Sequence, residues 1–92
     1  MIAENHANIK SPEEWFIQAD YDYKTAQAMH KAGRYIYAVF MCHLCIEKAL
    51  KGLHAKKTSQ TPPKTHSLIY LIEKINLDVP TELYDFIFNL NR

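Results

Sequence analysis

Residues 41–52, MCHLCIEKALKG, bring two thiols, an imidazole, a carboxylate and two ammonium groups into one short stretch. Cys42 and Cys45 have the C-x-x-C spacing of a redox dithiol and of half a zinc site. A redox pair needs its attacking thiol at a helix N-terminus, where unpaired amides favour the thiolate. Both cysteines instead fall about two turns inside a predicted helix. Structural zinc takes four ligands, usually from two such half-sites, and the chain has only these two cysteines. At about 100° per residue, His43 points away from both neighbours and supplies no third ligand. The thiols therefore read as small apolar groups filling a core, with no metal and no cofactor.

The other side of the same helix carries a polar ridge. His43, Glu47, Lys51 and His54 follow at steps of four, four and three residues, so they line up along one face. Glu47 precedes Lys51 by four residues, the favourable order for a helical ion pair. Periodicity alone favours a solvated face. The functional alternative places the ridge in a bundle crevice or at a subunit interface, where a desolvated Glu and His bind or position a ligand.

Four helices must hold these residues. Residues 1–10 are polar and unpatterned and read as a flexible lead-in to one domain over 11–92. Ser11-Pro-Glu-Glu offers an N-cap, a proline at the first helical position and a capping-box glutamate, Glu14. The spacing predicts a first helix over 12–32, with Phe16, Ala19, Tyr23, Ala26 and His30 on its buried stripe, Trp15, Asp22 and Met29 beside it, and Gly33 as its stop. A second helix is predicted over 34–56, its apolar side being Tyr35, Ala38, Val39, Cys42, Ile46, Ala49, Leu50 and Leu53. The segment 56–65 reads as an exposed connection because of its adjacent prolines and lack of apolar residues. Thr65 is placed to cap a short third helix that buries Leu68, Ile69, Ile72 and Ile75. After a break at 76–80, a fourth helix turns Leu83, Phe86, Ile87 and Leu90 inward. No stretch reads as a strand. The expected fold is all-α, an antiparallel up-and-down four-helix bundle.

Composition narrows the function. Eleven basic residues against ten acidic ones give a formal charge of +1, which carries no electrostatic footprint for nucleic acid or an anionic membrane. No apolar run approaches the ~20 residues that span a bilayer, and MIAENHANIK lacks the blocks of a secretory signal, so the expected location is cytoplasmic. Tyr84 and Phe88, four apart beside Leu83, Phe86 and Leu90, make the fourth helix apolar on more than one face and mark it as an interface.

Several stretches together resemble the HEPN domain (higher eukaryotes and prokaryotes nucleotide-binding). They are A-x-x-D at Ala19 and Asp22, G-R-Y-x-x-A at 33–38, H-x-x-x-E-K-A-L-K at 43–51 and T-P-P-K-T-H-S-L at 61–68. The resemblance implies a helical bundle that commonly dimerises and works with a minimal nucleotidyltransferase in toxin–antitoxin-type modules. Other members are metal-independent endoribonucleases, with an Arg and a His separated by four to six residues. Here the arginines are Arg34, followed by His43 after eight intervening residues, and Arg92. No catalytic residue is therefore assigned. The ribonuclease alternative requires an Arg/His stretch beyond residue 92, or a cationic crevice built from Arg34, His43, Lys48 and Lys51. Asp22, Arg34, His43, Glu47, Lys48, Lys51 and His66 are the candidate crevice or ligand residues. Among them, Asp22 is placed to accept a hydrogen bond from the second helix, and His66, at the first turn of the third, either ties down the proline-rich loop or touches a ligand.

Overall fold

The computed structural model describes residues 10–91, so the lead-in expected over 1–10 lies, apart from Lys10, outside the described residues, as does Arg92. Among the described residues four helices occur in order: α1 (Pro12–Lys31), α2 (Tyr35–Thr58), α3 (Leu68–Lys74) and α4 (Thr81–Leu90). No strand is present among the described residues, and the fold is the all-α bundle expected. None of the described helices is long and apolar enough to cross a membrane.

Local chemistry sets the helix ends. Ser11 Oγ accepts from the Glu14 amide at 3.2 Å, while Glu14 Oε1 accepts from the Ser11 amide at 2.8 Å, closing the capping box. At the other end of α1, Gly33 adopts φ +78°, and the Arg34 amide reaches back to the Met29 carbonyl at 2.8 Å. This Schellman turn reverses the chain within three residues and lays α2 antiparallel along α1. Asn76 ends α3 in the same way at φ 52°, with the Leu77 amide bonded to the Ile72 carbonyl.

The cap of α3 differs from expectation. Ser67, two residues past Thr65, is the N-cap and accepts from the Tyr70 amide at 3.2 Å; Thr65 Oγ1 accepts instead from the Ser67 amide. The loop before it is mostly exposed, although Pro62 is buried. The Asn91 side chain accepts from the Leu68 amide, bringing the end of α4 back to the start of α3. Lys57 Nζ donates to the Ile75 carbonyl at 3.0 Å and pins the end of α3 to α2.

The interior has two parts. Leu50, Leu68, Leu71, Ile72 and Ile87 form an aliphatic core where α3 and α4 cover the C-terminal half of α2. Between α1 and α2 the seam is built from small residues, Ala19, Ala26, Ala38 and Gly52, which let the backbones approach closely. A Cβ at Gly52 would lie 2.5 Å from the Phe16 ring.

The short α3 and α4 leave the N-terminal half of α2 with α1 as its cover, and this changes which residues are inside. Tyr35 and Val39, expected inward, are 61% and 55% exposed. Tyr23 and His30 on α1 are also exposed, the buried stripe running instead through Ala19, Asp22 and Ala26. On α4 only Ile87 is fully buried, Leu90 is half-buried, and Leu83 and Phe86 face out.

Gly52→Ala is expected to destabilise the domain by about 1–3 kcal/mol in chemical denaturation, because the added methyl must displace the Phe16 ring. Gly52→Ala combined with Phe16→Leu should recover part of that loss.

Candidate functional site

The polar ridge of α2 is buried. Glu47 and His54 are each 4% exposed and Lys51 is 9% exposed, so the expectation of a solvated face does not hold. The reason is that α1 supplies small residues and its own charged partner, while the 59–67 loop folds over the remaining side. A crevice rather than a free surface results.

Glu47 is its centre. Lys51 Nζ donates to Glu47 Oε2 at 3.0 Å, the helical pair expected from the spacing. His66 Nδ1 sits 2.9 Å from Glu47 Oε1, and His43 Nδ1 approaches the same oxygen at 3.8 Å. The His66 contact crosses from the loop to the helix. Burial alone pushes the Glu47 carboxyl up. The hydrogen bonds from His66 and Lys51, together with their positive charges, outweigh burial and hold the group below its usual range. The carboxylate therefore remains ionised, and it favours a proton on His66 Nδ1, leaving the other ring nitrogen on a largely exposed imidazole.

A second buried carboxylate lies alongside. Asp22, on α1, meets Lys48 Nζ at 2.8 Å through Oδ2, so the partner from α2 expected for it is present. That approach lies outside hydrogen-bond angles, and Oδ2 is compensated by charge without being formally hydrogen-bonded. Trp15 lies beside the α1 stripe, as its spacing implies, and also packs against the ammonium groups of Lys51 and Lys10, which spacing alone does not reveal. The Lys51 ammonium is 5.7 Å and the Lys10 ammonium 4.3 Å from its ring centroid, both within cation–π range. Its indole nitrogen is buried without a hydrogen-bond partner among the described residues. A tryptophan four residues before Ala19 was the available signal, since that step puts its ring on the seam.

His43, Lys51 and His66 thus gather around Glu47, and Asp22 with Lys48 forms a second pair between α1 and α2. Arg34 joins neither. It is the exposed N-cap of α2, about 13 Å along the axis from His43, so the cationic crevice of Arg34, His43, Lys48 and Lys51 is not assembled. The two lysines of that set are instead engaged with Asp22 and Glu47. On α4, Phe88 is 52% exposed and Tyr84 is half-buried beside Leu77 and Val79.

Cys42 and Cys45 are both free and half-buried. Burial pushes the Cys45 thiol up, the neighbouring Cys42, Asp22 and Asp20 add to this, and Lys48 offsets part of it. A thiol so held is a poor nucleophile, in keeping with a packing role. Among the described residues no three His, Cys, Asp or Glu side chains are arranged to hold a metal ion.

A helical bundle closed around a self-compensated charged cluster is the class of domain these features define. The chain belongs to the HEPN domain family, whose sequence model matches residues 12–92. No curated protein and no solved structure shows significant similarity to the chain.

The lowered Glu47 carboxyl makes a signed prediction. A group whose folded pKa lies below its ordinary value of 4.5 stabilises the fold fully above that pH, and the contribution is lost as pH falls through the folded value. Glu47→Gln is therefore expected to destabilise the domain by about 3 kcal/mol at neutral pH, since it strands Lys51 in a buried site. It should also flatten the decline in stability on acidification. Denaturation midpoints measured from pH 7 down to the carboxylate range check both effects.

Proposed function

We propose that residues 11–92 form one domain that acts as a helical protein-interaction module. Its partner is a minimal nucleotidyltransferase in a toxin–antitoxin-type pair, and it works as a homodimer in the cytoplasm. One observation carries the reading. The buried charges of the cluster are answered by one another, whereas twelve large apolar side chains among the described residues stand 45% exposed or more. Uncovered apolar surface on that scale suits protein contact better than capture of a small polar ligand. Family membership supports the helical module itself.

The test is co-expression of the tagged chain with an untagged minimal nucleotidyltransferase encoded beside it. Stoichiometric co-purification is expected, and changing Tyr84 and Phe88 together to Ser should lower the yield of partner without loss of helicity. Recovery of the chain alone, with both proteins soluble, contradicts the reading.

The second reading is a metal-independent ribonuclease or nucleotide-binding protein, and the outward imidazole of His66 held by Glu47 is what favours it. Incubation with single-stranded RNA in chelator separates the two. The interaction reading expects intact RNA, whereas cleavage that disappears in His66→Ala or His43→Ala supports the enzyme.

A further inference from the structure

Between the C-terminal half of α1, the N-terminal half of α2 and the end of α4 runs an open groove of about 1020 Å³. Its floor is the small-residue seam, where Ala26 and Ala38 are 4% and 7% exposed. Its walls are Tyr23, Tyr35, Val39 and Phe86, which are 53–61% exposed. Ile36, Tyr37 and Phe40 do not line it and belong to the outer face of α2.

Size and openness argue against a small molecule. Sites for such ligands run to about 300–1,000 Å³ and bury roughly 70–90% of what they hold. This groove stands at the upper end of that range, and walls half exposed to water do not enclose a compact ligand. A polypeptide segment fits it better, and backbone chemistry decides the form of that segment. An extended segment needs hydrogen-bond partners for its amides and carbonyls. The walls are helices, whose backbone groups are already paired along their length, so they offer no edge to pair with. A helix satisfies its backbone internally and presents an apolar stripe at i, i+3, i+4 and i+7, and the small floor residues admit it closely.

Charge supplies the other half of the match. Residues 23–46 contain Lys24, Lys31 and Arg34 and no Asp or Glu. Lys24 is held by Asp20 at 3.1 Å, whereas Lys31 and Arg34 have no acidic partner among the described residues. His30 and Lys31 line the groove where α1 ends, and Arg34 stands in the turn that follows. The apolar groove thus ends in positive charge that no described residue answers, and carboxylates on an incoming helix would complement it.

We infer that this groove receives an amphipathic helix of another protein, with an aliphatic stripe against Val39 and Phe86 and acidic side chains beside Lys31 and Arg34. The inference rests on the reading of the domain as an interaction module, and it names the kind of segment that the module recognises.

Fluorescence anisotropy with the full chain and two labelled peptides of about 18 residues, long enough to form a helix, tests it. Both peptides carry Leu at i, i+3, i+4 and i+7; one has Glu at the flanking positions and its twin has Lys. The Glu peptide is expected to bind at least about 10-fold more tightly than the Lys twin. Val39→Asp should weaken the Glu peptide at least about 10-fold with an unchanged far-ultraviolet spectrum. Should that variant lose helicity, Phe86→Ser on the α4 wall is read in the same way. Lys31→Glu should reverse the preference between the peptides, whereas Lys56→Glu, the same charge change at the exposed far end of α2, should leave it intact. Equal binding of the two peptides overturns the inference, as does a preference that survives Lys31→Glu or that Lys56→Glu reverses equally. So does failure of both peptides to bind, whether the groove stays empty or a second copy of the chain fills it. Co-purification of the nucleotidyltransferase separates this inference from the module reading: a partner retained where neither peptide binds leaves the module standing without this groove.

Discussion

The Glu47 carboxylate is buried between two helices and a loop, and a carboxylate in that position is tolerable only if it stays ionised with its partners in place. Lys51 answers it from one turn further along the same helix, and His66 answers it from a loop nineteen residues away in sequence. This pairing fixes where the proline-rich loop lies, and with it the start of α3. The neighbouring contact between Asp22 and Lys48 does the same for α1, setting its rotation and height against α2. Breaking either pair leaves a charge without its counter-charge in a site from which water is largely excluded.

The charged seam and the aliphatic core divide the molecule. Small residues along α1 and α2 bring the backbones close, which leaves little room for large apolar side chains there. Those side chains are placed at the ends instead: Leu68, Leu71 and Ile72 beneath α3, and the aromatic residues of α2 on the uncovered side. The polar cluster consequently stabilises and positions, while the face available to other molecules is apolar. The functional reading of this HEPN domain follows from that separation.

Much of the architecture could be read from local signals. Ser11, Pro12 and Glu14 mark the start of α1 and Gly33 its stop, because capping and positive φ are set by neighbouring residues alone. The ion pair of Glu47 and Lys51 follows from helical spacing. The face of α2 that is buried was not legible in the same way. Periodicity finds stripes, but the choice between stripes depends on what α1 and the loop bring against them, and Asp22, Trp15 and His66 are distant in sequence. Tyr35, Val39, Leu83 and Phe86 were expected inside because a stripe of that kind is normally covered; the brevity of α3 and α4 leaves it open. The run of Ala19, Ala26, Ala38 and Gly52 was the overlooked sign that α1 and α2 meet too closely for aromatic packing.

Nitrogen donors hold Glu47 as a carboxylate and overcome the cost of its burial. Titration of its side-chain carboxyl carbon by nuclear magnetic resonance in the intact domain tests this directly. A midpoint below the ordinary glutamate value of 4.5, shifting upward in His66→Ala, is expected. A midpoint at or above that value in the wild type, unaffected by His66, would contradict it.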